Sequence, residues 1–282
     1  MARLHSFAEH HGLARSEVWM VDVGGNLGYF SMMAAAEGFS VLTFEPLAAN
    51  VAALRGSLCA SRGGLGARVA LVPKVRAAAV GSGVQSARFG PFLLISAAFC
   101  SGQPLSLQRH LTPTPNPPHH QGLGAAAAKC ALVSGRANAG DGTVLCGASS
   151  DDYDKSAYVL RATLDVERLD DVLTPEERAF LRGRVGVLKI DVEGAEPAVL
   201  AGGAAFFRDV APANVITEVS GMQGRNGGTG PYLAAMAKLG YEVRRGGFEG
   251  TAIPRGQLKG WTLEEGAIEN YPLVHTRPLS PR

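Results

Sequence analysis

The feature that most constrains this chain is a junction near its start. An apolar run, Val18 to Val23, breaks directly into Gly24-Gly25-Asn26-Leu27-Gly28, and a helix-compatible stretch follows from Tyr29 to Glu37. A strand that turns through glycines into a helix opens a parallel βαβ unit, because the helix must carry the chain back over the sheet. Gly38 is placed to end that helix. The unit then repeats. Val41 to Phe44 is a strand closing on Glu45-Pro46, Asn50 to Leu58 is a helix broken by Gly63, Gly64 and Gly66, and Val69 to Val80 holds a third strand.

The same order resumes far along the chain. Val185 to Ile190 is nearly all apolar, as expected of a strand buried on both faces. A helix follows from Glu196 through Leu200, then a strand, Val215 to Thr217, stopping at Glu218. Tyr232 to Leu239 is a helix with Gly240 as its cap, a strand begins at Tyr241, and Leu273-Val274 reads as a closing edge strand. The expected architecture is one α/β domain, a doubly wound and mostly parallel sheet of about seven strands with an antiparallel pair late in the chain. Its limits are read as 18–88 and 129–250, with 1–17 an N-terminal extension and 251–282 a C-terminal segment.

Residues 89–128 break the pattern. An apolar clump leads into Leu111-Thr-Pro-Thr-Pro-Asn-Pro-Pro-His-His-Gln121 and then into glycine and alanine repeats. Prolines remove ladder donors and there is no helical period, so this reads as a disordered, low-complexity insertion. Its composition requires pyrimidine-rich codons before His-His-Gln, as a translated intron acceptor site would. A retained intron and a genuine acceptor-binding lid are the two readings.

Composition narrows the function classes. With 27 Lys+Arg against 25 Asp+Glu and no basic run, the chain lacks the electrostatic footprint of a nucleic-acid binder. At 46% hydrophobic and 18% charged it can bury a core. No stretch approaches the roughly 20 apolar residues of a membrane span, and the first residues lack the apolar core of a secretory signal. Cys59, Cys100, Cys130 and Cys146 are irregularly spaced, so the expectation is free, buried thiols in a reducing compartment, the cytoplasm by default.

Two motifs carry chemistry. Glycines at a strand-to-helix turn let backbone approach a ligand, and the helix offers free N–H donors. Glu45, ending the second strand, can bind two ribose hydroxyls. A dinucleotide would set its pyrophosphate over the glycines, but Asp22 would repel it. S-adenosylmethionine, with its ammonium and sulfonium, would be attracted instead, so the residues favour that cofactor over NAD. The second motif, Lys189-Ile-Asp191-Val-Glu193-Gly194-Ala-Glu196, ends a central strand, where ligand crevices open. Three carboxylates in one turn need partners, a metal or a proton to move. Glu196 reads as a helix-dipole stabiliser, Lys189 as a pairing or snorkelling residue, and Glu218 as a strand-end carboxylate that faces either the same crevice or solvent.

These elements together, Val21-Asp-Val-Gly-Gly-Asn-Leu-Gly-Tyr-Phe30, Phe44-Glu45-Pro46, Leu188-Lys-Ile-Asp-Val-Glu-Gly-Ala-Glu196 and Ile216-Thr-Glu-Val219, resemble the FkbM family of S-adenosylmethionine-dependent methyltransferases. Thr163-Leu-Asp165 and Leu169 to Leu173 resemble the segment before its fourth strand, and Asn138 to Gly142 a family-like turn. The resemblance implies a class I, Rossmann-like fold and O-methylation of hydroxyls on small molecules or sugars. By position it places Asp22, Gly24, Gly25, Asn26 and Gly28 along the methionine and adenosine, Glu45 at the ribose, and Asp191 and Glu193 on the acceptor side. Asp191, ending the central strand, is the expected base. Asp191 and Glu218 holding a divalent metal is the alternative. No Asn/Asp-Pro-Pro-aromatic tetrad follows the fourth strand, which argues against methylation of exocyclic nitrogens. The rival functions are an NAD-dependent oxidoreductase and a non-catalytic cofactor-binding domain.

Overall fold

The structure, a computed structural model, describes residues 1–61, 64–72, 88–89, 92–93, 120–137, 142–147, 153–220, 228–264 and 267–279. The parts of the expected third strand and of the insertion at 73–87 and 94–119, and the expected turn at 138–141, lie outside them.

Along the chain, helix α1 (Ala2–His11) precedes strand β1 (Trp19–Val23), α2 (Tyr29–Ala36), β2 (Ser40–Phe44), α3 (Ala48–Ala60) and β3 (Val69–Val72). Two short strands, β4 (Arg88–Phe89) and β5 (Phe92–Leu93), pair with each other. Then come β6 (His120–Leu123), β7 (Ala128–Gly135), β8 (Gly142–Cys146) and β9 (Tyr158–Glu167). The second half holds α4 (Leu169–Val172), α5 (Pro175–Leu181), β10 (Val185–Ile190), α6 (Glu196–Gly202), α7 (Ala204–Asp209) and β11 (Asn214–Ser220). It closes with α8 (Thr229–Lys238), β12 (Tyr241–Arg245), β13 (Thr251–Ala252), α9 (Arg255–Leu258) and β14 (Ile268–His275).

Among the described residues the main sheet has eight strands in the order β13-β12-β14-β11-β10-β1-β2-β3. It is mixed and largely parallel: β3, β2, β1, β10 and β11 run together, and β14 is antiparallel to both β11 and β12. The strand count exceeds the expected seven because Thr251–Ala252 adds a short edge partner to β12. The Leu273-Val274 strand is not an edge either. It inserts between β11 and β12, which is why Tyr271 and Leu273 are fully buried.

Side-chain alternation explains the layering. Trp19, Val21 and Val23 of β1 join one core cluster with Val199, Phe206, Leu233 and Met236, from α6 to α8. Val18 and Met20 join a second cluster with Leu4 and Phe7 of α1, Ala34 and Ala35 of α2 and Leu54 of α3. Helices thus cover both faces of the sheet. The residues read as an N-terminal extension are therefore partly core, since Leu4 is inaccessible to solvent.

A second sheet, in the order β6-β9-β7-β8, was not expected as a unit. It corrects the insertion boundary at residue 128. His120 to Leu123 pair in parallel with Leu164 to Glu167, and the Gly124 N–H donates to the Glu167 carbonyl at 2.9 Å. Gly124 also seats the end of α6 so closely that a Cβ on Gly202 would lie 1.9 Å from the Gly124 oxygen. The free-thiol expectation is overturned as well. Cys130 and Cys146 sit directly opposite on β7 and β8 and form a disulfide, and Cys59 is also disulfide-bonded. Spacing along the chain gave no hint, because the sheet register brings Cys130 and Cys146 together. No helix of the described residues is long and apolar enough to cross a membrane.

Candidate active site

The glycine turn after β1 is set by its protein neighbours. The Gly24 and Gly25 N–H groups both donate to the Phe44 carbonyl at 3.0 Å, which ties the turn to the end of β2. Gly24 has φ +83, and a Cβ there would stand 1.8 Å from the Asp191 carbonyl oxygen. At Gly28, with φ +87, a Cβ would stand 2.1 Å from Leu54 Cδ1, and at Gly25 it would meet Thr43. No L side chain fits at Gly24, and at Gly25 and Gly28 one would fit only if Thr43 or Leu54 gave way. The turn is therefore wedged between the ends of β2 and β10.

That wedge assembles the first half of the site. Glu45, only 6% exposed, accepts hydrogen bonds on Oε1 from Leu47 N–H (2.8 Å) and Asn50 Nδ2 (3.2 Å), and on Oε2 from Asn26 N–H (2.8 Å). A carboxylate has about four acceptor positions, so capacity is left for a ligand hydroxyl. Burial pushes the Glu45 pKa up, and the two backbone N–H donors and the Asn50 amide hold it back.

Asp22 is placed differently from its expected role. It is fully buried beneath the turn and does not line the cavity. Its Oδ2 accepts the Ser31 hydroxyl at 2.6 Å, and Oδ1 lies 3.6 Å from Lys189 Nζ with no hydrogen-bond partner. Burial pushes its pKa up, and the Lys189 charge and Ser31 oppose the rise. Lys189 also donates to the Gly24 carbonyl at 3.1 Å and pairs with Asp191 Oδ2 at 3.0 Å, with its ammonium 5.6 Å from the Phe30 ring centre. One ammonium thus joins the turn after β1 to the turn after β10. The pairing option for Lys189 is the one realised.

The turn after β10 holds the second half. Glu193 has φ +54, and Gly194 follows at +92. Glu196 holds this bend: its Oε1 accepts N–H groups of Val192 (2.9 Å) and Gly194 (3.3 Å), a more local task than helix-dipole stabilisation. The carboxylate oxygens of Asp191, Glu193 and Glu218 lie within 4.8 Å of one another, close enough to share a cation. Glu218 joins this cluster without lining the cavity.

A cavity of about 110 Å³, open to solvent, connects the two halves. Gly24, Asn26, Glu45, Asp191 and Glu193 line it, while Asp22, Gly25 and Gly28 lie behind its wall. Sequence reasoning missed the opposite wall, where β6 gives Gly122 and Leu123, β7 gives Leu132 and β8 gives Gly142 and Val144. These are ordinary apolar strand residues, and only the second sheet's position makes them part of a site. The donor set suits S-adenosylmethionine: a carboxylate with spare acceptor capacity for a ribose, apolar walls for a base, and carboxylates near a cationic centre.

Among curated proteins and among solved structures, nothing matches this chain. A family model, the methyltransferase FkbM domain, matches residues 22–243, from the buried aspartate of β1 to the third residue of β12. The match takes in both turns and both walls of the cavity, and the chain belongs to the FkbM methyltransferase family.

Proposed function

We propose that this methyltransferase moves the methyl group of S-adenosylmethionine to a hydroxyl oxygen of a small molecule or sugar. The observation that carries the reading is the single cavity lined by Glu45 after β2 and by Asp191 and Glu193 after β10, on the two sides of β1. The strand order supports it. The parallel strands run outward from β1 through β2 to β3 and from β10 to β11, so the chain reverses its winding between β1 and β10. In this reading that junction serves as the switch point of a doubly wound, Rossmann-like plan, where nucleotides bind, with the eighth strand an addition at its edge.

In this reading Glu45 accepts the ribose hydroxyls, and the apolar wall of the second sheet covers the base and excludes water. The cofactor supplies a methyl group activated by a positive sulfur. Asp191 takes the proton from the acceptor hydroxyl, leaving the oxygen to receive the methyl carbon in line. Lys189 holds the Asp191 carboxylate in place by its 3.0 Å pair, and Glu193 offers a second acceptor for the incoming hydroxyl.

Thermal unfolding tests the cofactor. S-adenosylhomocysteine should raise the melting temperature and NAD should not. Stabilisation by NAD alone overturns the reading. Incubating the protein and a labelled methyl donor with a metabolite extract should then give product labelled on oxygen. Label found only on nitrogen or carbon would refute hydroxyl transfer.

A further inference from the structure

Resting on that reading, we propose that the β7–β8 hairpin is the adenosine-side wall of the cofactor site, and that the Cys130–Cys146 disulfide positions it. Across the ladder, Cys130 faces Cys146, and two residues further on Leu132 faces Val144. Side chains two apart on a strand share a face, so the disulfide and the Leu132–Val144 pair lie on one side of the hairpin. That side carries the buried cluster of the second sheet, with Cys146 itself exposed at the end of β8. Cys130 and Leu132 are buried in a cluster with Leu164 and Val166 of β9, and Leu47 and Val144 pack against it.

Leu47 is the link to the nucleoside. Its N–H donates to Glu45 Oε1 at 2.8 Å, so the residue that helps orient the ribose carboxylate also packs against the cluster that holds Cys130 and Leu132. Leu47, Leu132 and Val144 all line the cavity, with Val72 and Phe44 from the main sheet. A flat base beside a ribose held at Glu45 would meet these apolar side chains.

The wall needs a fastening because of where β8 stands. Among the described residues β8 is the edge strand of the second sheet, hydrogen-bonded to β7 alone. Edge strands open at lower cost than central ones, since one ladder alone holds them. The disulfide adds a covalent tie from β8 to β7, which is itself held on its other side by β9. Cleaving it takes two electrons and two protons from a dithiol reductant, which becomes a disulfide while Cys130 and Cys146 become thiols. β8 is then held to β7 by its backbone ladder and the packing of Val144, and the Val144 side of the wall loosens. The site is thereby tuned by thiol reductants.

Titration calorimetry tests this with S-adenosylhomocysteine and with 5′-methylthioadenosine, which carries the nucleoside without the amino acid. Replacing both Cys130 and Cys146 by alanine leaves the Cys59 disulfide alone, and it should weaken both ligands by the same factor, about tenfold. Leu132→Ala, with the disulfide intact, should do likewise, and it decides the matter if the double variant does not fold. A dithiol added to wild type should reproduce the loss. Equal affinity in wild type and the double variant overturns the positioning role, and unchanged nucleoside affinity in Leu132→Ala overturns the wall itself. Wild type that binds neither ligand refutes the methyl-transfer reading instead.

Discussion

Lys189 is the residue whose removal the structure prices most closely. Its ammonium is nearly buried, and it faces Asp22, which has no solvent exposure at all. Lys189→Met keeps the aliphatic stem but removes the ammonium, leaving the Asp22 charge, among the described residues, with the Ser31 hydroxyl as its hydrogen-bond partner. Removing one partner of a buried pair costs about 3–5 kcal/mol when the other must stay charged. Asp22 has an escape, because burial already raises its pKa and it can take up a proton. The folded variant then binds a proton that the unfolded chain, with an ordinary aspartate, does not. Its stability therefore falls as pH rises through that window, by up to about 1.4 kcal/mol per pH unit, and levels off once folded Asp22 is ionised.

The expected result is a loss of about 3 kcal/mol at mildly alkaline pH and a clearly smaller one at mildly acid pH. Asp22→Asn alone should cost less, about 1–2 kcal/mol, because Lys189 keeps Asp191 and the Gly24 carbonyl. In the double variant no buried charge is stranded, so most of the Lys189→Met loss should return. Urea unfolding of the four proteins at two pH values measures the cycle. A Lys189→Met loss under about 1 kcal/mol that is independent of pH would refute the reasoning, as would a double variant no better than the single one.

Three further outcomes are expected. Because burial raises the Glu45 pKa above its ordinary 4.5, the folded chain takes up this proton before the unfolded one, so Glu45 adds stability as pH falls toward that value. S-adenosylhomocysteine affinity should fall over the same range as the ribose acceptor is lost, and calorimetry showing a flat affinity as pH falls from neutral toward that value counts against the ribose role. Asp191→Asn should lower turnover by about 10²-fold with little change in S-adenosylhomocysteine affinity, and wild-type turnover would remove Asp191 as base. A chelator that abolishes wild-type activity, with recovery on added Mg²⁺, would assign the Asp191, Glu193 and Glu218 cluster to a metal instead. Deleting residues 89–128 should lower the melting temperature, because it removes β6 from β9 and Gly124 from α6, and an unchanged value would show this strand to be dispensable.

The parts of this molecule legible in the sequence are those in which the local pattern and the tertiary demand coincide. Val185 to Ile190 is apolar except for Lys189 because β10 is buried on both faces, and the glycine turn is visible because Asp191, Thr43 and Leu54 crowd any side chain placed there. Glu45 and Asp191 could be picked out because strand ends in a parallel sheet share one edge. What was hidden depends on register between distant strands. Cys130 and Cys146 become neighbours through the antiparallel pairing of β7 with β8, and Leu132 and Val144 reach the cavity by the same pairing. Asp22 is the converse case. Its place before the glycines suggested contact with a cationic ligand, yet its cation is internal, Lys189, one strand away at the paired position. A buried carboxylate in this register needs a partner wherever the chain can supply one. The sequence Lys189-Ile-Asp191 supplied it, and the same lysine then reaches the carboxylate that faces the acceptor. The two turns of the site are therefore one electrostatic unit, so a substitution in either turn should be felt in the other.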